Sequence, residues 1–345
     1  MRGPIGVWGA YSADSYYYAF RVPFTETGSG RLLKRILLVK TSSLGDIVHN
    51  FPVVCDIRRQ CPDAAIDWVV EEAFAPLVSL HPGIRRVLPV AVRRWRRSPL
   101  ARSTWREIGE CRIGLAKEHY DAVVDTQGLV KSALISRMAR GSRHGFDASS
   151  ARESLAARFY DIGHHVARRQ HAVARNRELV ARALGHRLDP IVDFGFEAVA
   201  RGGGGKPRVV MLHATSRADK LWPEHLWIEL GRALEQDGMS CVLPWGSDSE
   251  RSRSVRIGAA MSHAEVPERL DIPGVARLLA GARAVVGVDT GLVHLAAALG
   301  AGVVALFLGT DPLLTGVYGA QRAVNLGGIG EIPSVDAVLA ALRSF

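Results

Sequence analysis

From residue 35 onward, short apolar runs alternate with longer stretches whose apolar positions recur at helical spacing. "RILLVK" (35–40), "AIDWVVE" (65–71), "RVLPVAV" (86–92) and "DAVVDTQG" (121–128) have the length and continuity of strands covered on both faces. Helical patterns follow near 45–60, 72–80, 104–118 and 129–140. Residues 151–185 are helical in composition and rich in arginine. A second alternation begins with "RVVMLH" (208–213) and continues through "SCVLPW" (240–245), "AVVGVD" (284–289) and "GVVALFLG" (302–309). Its helical patterns fall at about 223–237, 249–261, 273–281 and 291–299, with a closing helix in "SVDAVLAALRSF". Strand alternating with helix implies parallel sheets with helices on both faces. The expectation is α/β, in two halves of 34–195 and 207–345 joined by a glycine-rich linker at 196–206. The closing helix is free to pack back on the first half. Residues 1–33 show neither period nor a secretory pattern and are read as a disordered extension.

Ligands of open α/β sheets bind beyond the carboxyl ends of strands, so the loops there are the first place to look for chemistry. In the first half these are "KTSSLGD" and "DTQGLVKSAL". The former lacks GxGxxG, which disfavours a dinucleotide-binding dehydrogenase. Its one acid, Asp46, reads locally as a helix-start residue satisfying free amides and the helix dipole. The second reading is a general base, since a carboxylate facing a dry cleft can accept a proton from a hydroxyl. Its small neighbours Thr41, Ser42, Ser43 and Gly45 would leave room for a substrate. In the second half, "HATSRADKLWPEHLW" offers Thr215, Ser216 and Lys220, and "VGVDTGLVHLAAALG" offers Asp289, Thr290, Gly291 and His294. Glycine at a strand-to-helix turn lets a ligand approach the backbone, and helix-start amides attract phosphate. Two such loops suit a nucleotide diphosphate, with Glu250 as an acceptor for ribose hydroxyls. "GGGGKP" is a poor phosphate loop, because Pro207 follows Lys206 where Ser or Thr is required.

Charge sharpens this picture. The chain has 345 residues and a net charge of +10, a balance that favours anionic partners. "VAVRRWRRSPLARSTWRE" concentrates Arg93, Arg94, Arg96, Arg97, Arg102 and Arg106 beside Trp95 and Trp105. Guanidinium forks suit phosphate and carboxylate, and the tryptophans permit stacking. A nucleic-acid-binding protein is the competing class, disfavoured because no recognisable binding module accompanies the cluster. Cys55, Cys61, Cys111 and Cys241 form no CxxC pair and read as reduced, mostly buried thiols. His164, His165 and His171 lack a metal-ligand pattern and read as solvent-facing helix residues. No apolar run is long enough to cross a membrane.

Together "LLVKTSSLGD", "VAVRRWRR", "YDAVVDTQGLVKSAL", "HATSRADKLWPE", "LPWG", "VDTGLVHLAAALG" and "TDPLLTGVYG" resemble glycosyltransferase family 9, the ADP-heptose:lipopolysaccharide heptosyltransferases. The likeness runs in the family's order from Arg35 to about Gly319. "RRWRR" with "DTQGLVKSA" points to members that add the first heptose, with those adding the second as the alternative. The resemblance implies a GT-B fold, two Rossmann-like domains facing across a cleft. It implies inverting transfer of L-glycero-D-manno-heptose from ADP-heptose to the first Kdo of Kdo2-lipid A. Asp46 matches the family's base. Thr215, Ser216, Lys220, Glu250, Asp289, Thr290, Gly291 and His294 match its donor site. Ser42, Ser43, Arg93, Arg94, Arg96, Lys131, Arg143 and Arg152 are candidates for the anionic acceptor. No metal-binding DxD pair is evident and no cofactor is expected beyond the donor. A cytoplasmic enzyme resting on an anionic inner membrane, without nucleic acid, is the implied setting. The chain departs from the pattern at Ser216, Leu270 and Leu308–Gly309.

Overall fold

The computed structural model describes residues 33–196 and 207–345, so the N-terminal extension and nearly all of the glycine-rich linker lie outside the described residues. Residues 33–345 form one compact unit. In the first half the strands are β1 (Arg35–Val39), β2 (Ala65–Glu71), β3 (Arg86–Val90), β4 (His119–Asp125), β5 (Arg140–Phe146) and β6 (Ile162–His164). Between them run α1 (Leu44–Val48), α2 (Phe51–Gln60), α3 (Ala75–Val78), α4 (Val92–Arg97), α5 (Arg102–Ala116), α6 (Val130–Ser136) and α7 (Ala172–Leu184). The second half contains β7 (Arg208–Leu212), β8 (Ser240–Val242), β9 (Ala264–Glu265), β10 (Ala284–Val288), β11 (Val303–Phe307) and β12 (Ala323–Gly327). Its helices are α8 (Glu224–Gln236), α9 (Asp248–Gly258), α10 (Ile272–Ala280), α11 (Gly291–Ala298), α12 (Pro312–Thr315) and α13 (Val335–Arg343).

Among the described residues each half is a six-stranded parallel sheet, ordered β3-β2-β1-β4-β5-β6 and β12-β11-β10-β7-β8-β9. Both follow the doubly wound order, in which the direction of winding reverses beside the first strand. That reversal falls between β1 and β4, and again between β7 and β10. The central strands explain the continuous apolar runs: Ile36, Leu37, Leu38 and Val39 of β1 are all fully buried, because helices cover both faces. Each such side chain contributes roughly 1.5–3 kcal/mol of burial. One apolar cluster then continues from Ile36, Phe51 and Trp68 of the first half into Val285, Val293 and Phe307 of the second.

Three expectations change. The region 151–185 is not one helical block, since β6 and a short 3₁₀ turn precede α7. Arginine-rich β5 and the two-residue β9 are too polar or too short to read as strands by periodicity. The closing helix α13 buries Val335, Val338 and Leu342 in the second half's own core, against α8 and β11, rather than on the first half.

Candidate active site

The two loops of the first half are cross-tied at the reversal point. The side-chain oxygen of Gln127, after β4, accepts the amides of Thr41 and Ser42, after β1, at 3.1 and 3.2 Å. Asp125 in turn accepts the amides of Gln127 and Gly128 and the hydroxyl of Tyr160 at 2.7 Å. The loop after β1 is thereby held rigidly where Ser43 opens α1. Asp46 sits at the third position of α1 and completes a capping box, accepting the Ser43 amide at 3.0 Å and its hydroxyl at 3.2 Å. The local reading of Asp46 as a helix-start acid is therefore correct, and it also fixes where the carboxylate points.

That carboxylate lies among cations. Arg152 donates to it at 2.7 Å. Lys40, the last residue before the loop, is buried and donates to the Thr126 carbonyl at 2.8 Å. Lys40 and Asp46 line a cavity of about 20 Å³ with Gln127, Phe146, Arg152, Arg175 and Asn176, enough for one water. Burial pushes the Asp46 carboxyl up, but the charges of Lys40 and Arg152 and the Ser43 amide overcome it and hold the group below its ordinary value. Burial pushes the Lys40 ammonium down to about 8, against the pull of Asp46. Sequence reasoning missed Lys40 and Arg175. Lys40 stands at the end of an apolar strand as an ordinary boundary lysine would, and only the fold buries it.

In the second half, Asp289 is the hub. One oxygen accepts Lys220 at 2.6 Å and the Thr310 hydroxyl at 2.6 Å, and His294 lies 3.9 Å from the other. The Asp289 carbonyl accepts Thr215 at 3.1 Å. Burial works to raise the Asp289 carboxyl, yet His294, Lys220 and Thr310 together hold it well below the usual carboxylate range. The loops after β7 and β10 thus flank the second reversal point, with the Thr290–Gly291 start of α11 between them. Thr310, from the loop after β11, is a further residue sequence reasoning missed. Glu250 closes the capping box of α9 through the amides of Gly246 and Ser247, which occupies one of its two oxygens. Ser216 is exposed beside Thr215.

The halves meet at these two helix starts. A Cβ on Gly291 would stand 2.5 Å from Leu44 and 2.7 Å from the Gly45 amide nitrogen, so α1 and α11 approach closely because α11 starts on a glycine. The space beside Gly45 belongs to Gly291 and His294, not to a ligand. The His294 ring packs edge-on against His49 of the first half, with centroids 4.4 Å apart. His171 joins the same seam, donating from Nε2 to the Gly316 carbonyl at 2.9 Å and stacking on Tyr318. His171 is therefore buried rather than solvent-facing, because the second half supplies the cover that its own helix cannot reveal. Burial pushes it down to about 4 and pushes His49 well below its ordinary value, so both are neutral at pH 7.

The acceptor candidates divide. Lys131 reaches the Ser42 hydroxyl at 3.3 Å, and Arg152 holds Asp46. Arg143 lies along β5 with its guanidinium on Asp161, and Arg94 is shared by Glu72 and Glu107. Arg93 stacks over Phe74, and Arg96 is exposed. Arg143, Arg94, Arg93 and Arg96 do not join the cations around Asp46. Trp95 is buried with its indole N–H on Glu107, which removes it as a stacking surface. The four thiols are free, with Cys55 and Cys241 buried.

Known proteins resemble this chain in sequence and fold. Residues 109–340 match Glycosyltransferase family 9 (heptosyltransferase). Lipopolysaccharide heptosyltransferase 1 of Escherichia coli strain K12 is 45% identical over 296 residues, 84% of this chain and 92% of that protein. The structure of E. coli heptosyltransferase WaaC with ADP superposes with a TM-score of 0.82 at 41% identity, covering 90% of this chain and 99% of that one. The same enzyme with ADP-2-deoxy-2-fluoro heptose gives 0.80 at 40% identity over 90% and 99%. With two doubly wound sheets meeting where the loop that carries Asp46 faces the start of α11, this chain belongs to glycosyltransferase family 9, the heptosyltransferases.

Proposed function

We propose that the protein transfers heptose from ADP-heptose to the first Kdo of Kdo2-lipid A during lipopolysaccharide inner-core synthesis, with inversion at the anomeric carbon and Asp46 as general base. The observation that carries the reading is the Gly45–Gly291 approach, which sets the carboxylate-bearing turn of one half against the start of α11 in the other. The relatives named heptosyltransferase 1, and those solved with ADP and an ADP-heptose analogue, support the donor class.

In this mechanism the donor diphosphate lies at the start of α11. The amides beyond Thr290 point at it and Lys220 meets its charge as the glycosidic bond breaks. Thr215 and Thr310 keep Asp289 in place, and Asp289 keeps Lys220 in place. The acceptor's anionic groups meet Arg152, Lys131 and Ser42 at the loop's edge, with Lys40 and Arg175 behind them. Asp46 takes the proton of the attacking hydroxyl while that oxygen bonds the anomeric carbon and ADP leaves from the opposite face. Its partners in this reading are ADP-heptose and Kdo2-lipid A, and the enzyme works from the cytoplasmic side of an anionic inner membrane.

The test is Asp46→Asn, assayed with ADP-heptose and Kdo2-lipid A. Removing a general base costs typically 10²–10⁴-fold in turnover, while ADP affinity should stay unchanged. Turnover close to wild type refutes the base assignment. Activity on an acceptor already bearing one heptose, and none on the heptose-free acceptor, refutes the choice of acceptor.

A further inference from the structure

The segment 213–222 runs from the end of β7 to the residue before the N-cap of α8. It carries Thr215 and Lys220, and both rest on Asp289. Its two ends are tied to one helix, α9. At the start, His213 is fully buried, and its Nε2 is hydrogen-bonded to the Ser254 hydroxyl at 2.7 Å. Burial pushes the His213 imidazolium down to about 4, so this bond joins neutral groups at pH 7. At the finish, the Trp222 carbonyl accepts Arg253 Nη2 at 2.6 Å. The Trp222 ring is itself fully buried, edge-on to Trp227, with its indole N–H on the Pro333 carbonyl at 2.9 Å.

The place of Arg253 is not set by an ion pair. Its side chain is 12% exposed, and the carboxylate within reach, Glu224, stands 3.8 Å from Nε. Arg256 takes that carboxylate at 2.7 Å. Arg253 Nε is buried without a hydrogen-bond partner among the described residues. A mostly buried guanidinium is costly unless its donors are bonded, so the short bond to the loop carbonyl is what holds it. Trp222 lies two residues beyond Lys220, at most about 7 Å along the chain. The Leu221 amide between them donates to the Ala218 carbonyl at 3.1 Å, which links this anchor to the 3₁₀ turn Ala218–Lys220. Glu250 lies one turn earlier on α9. One rigid element therefore sets both the residue expected at the ribose and the loop expected at the diphosphate.

We propose that Arg253 is a positioning residue for the donor diphosphate, fixing Lys220 through the Trp222 carbonyl, with the His213–Ser254 bond as the second tie. The proposal rests on the ADP-heptose reading of this loop and adds what holds the loop in register with α9.

The test is calorimetric titration with ADP, alongside KM and kcat with ADP-heptose and Kdo2-lipid A. Arg253→Ala should weaken ADP binding and raise the KM for ADP-heptose about tenfold, the low end of what a charge-assisted hydrogen bond contributes. The KM for Kdo2-lipid A should stay within about twofold. Guanidinium chloride, well below denaturing concentration, should restore part of the loss, and methylammonium chloride should not. Arg253→Lys keeps the charge and loses the fork, so it should fold as wild type and bind ADP several-fold more weakly. Ser254→Ala should weaken ADP binding about threefold. In a Lys220→Ala background the effect of Arg253→Ala should vanish, because it acts through Lys220. The proposal is overturned if folded Arg253→Ala, or Arg253→Lys where the alanine variant does not fold, binds ADP as wild type does. It is also overturned if the losses from Arg253→Ala and Lys220→Ala add, or if a lower denaturation midpoint is the sole change. Failure of the donor reading looks different: the wild-type chain itself then binds no ADP, and the proposal falls with it.

Discussion

Gly291→Ala is the most direct probe of how the two halves meet. The added Cβ would stand 2.5 Å from Leu44 Cδ2, 2.7 Å from the Gly45 amide nitrogen and 2.8 Å from Leu44 Cβ. Ordinary contacts lie at roughly 3.5–4.0 Å, so the overlap is about 1 Å. The Leu44 side chain can rotate away. The Gly45 nitrogen cannot move without α1, and α1 carries Asp46 at its third position. The substitution therefore either strains the seam, at about 1–3 kcal/mol, or separates Asp46 from the start of α11 by a fraction of an ångström to 1 Å. A misplacement of about 1 Å between reacting groups is worth on the order of 100-fold in rate. Turnover should fall about 10- to 100-fold, with ADP affinity, measured by calorimetry, changing much less. Gly45→Ala is the matched control. Its Cβ would meet Gly291 Cα and His294 Cδ2 at 3.5 Å, which is ordinary contact, so turnover should stay within about threefold. A folded Gly291→Ala enzyme as fast as wild type, or equal losses in both variants, would show that the glycine seam does not set the distance between base and donor.

Other expectations follow from individual groups. Lys40→Met removes the strongest of the charges that depress Asp46, so its carboxyl rises and the acid limb of the kcat/KM profile moves to higher pH; an unmoved limb refutes the coupling. Asp289→Asn strands Lys220 in a mostly buried position, at on the order of 3 kcal/mol, and weakens ADP binding. Because the folded Asp289 carboxyl is depressed, its stabilisation is present above about pH 4 and drains away as pH falls through the folded value, so the variant should lose less stability on acidification than wild type. Arg177→Met strips buried Asp56 of its bonds at 2.6 and 2.8 Å and leaves only Arg59, 4.0 Å away, as counter-charge, and should lower stability by about 3 kcal/mol in chemical denaturation while kcat is unchanged.

How much of this was readable beforehand follows from what each signal depends on. The strands β1, β2, β7, β10 and β11 are apolar because both faces are covered, a property carried by the strand itself, and each was located within a residue or two of its ends. β5 carries no strand signal, because Arg140 falls in the helical pattern at 129–140 and Ser142, Arg143 and His144 are polar; its pairing with β4 supplies what its composition does not. The strand-end loops were legible because a parallel sheet sends every carboxyl end to one rim. The roles of Lys40, His171 and Thr310 were not. Burial of Lys40 needs the loops after β1 and β4 to close over it, and burial of His171 needs Gly316 and Tyr318 from the other half. Thr310 counts only because Asp289, twenty-one positions earlier, comes within 2.6 Å.

The two readings of Asp46 need not compete, because a carboxylate offers about four lone-pair positions. Oδ2 takes the Ser43 amide and hydroxyl, and a 3.5 Å approach from Arg152. Oδ1 takes one bond, from Arg152 at 2.7 Å. One position on Oδ1 therefore stays open for the hydroxyl proton in the proposed reaction. Capping holds the side chain still, and the surrounding cations keep it ionised. Those cations also make it a weak base, which suits a transfer in which the leaving diphosphate departs early and the attacking hydroxyl becomes acidic only as it bonds carbon. The same turn that starts α1 thus sets the direction, charge and strength of the group proposed to take the proton, and Gly291 at the start of α11 lets that helix come near enough for that to matter.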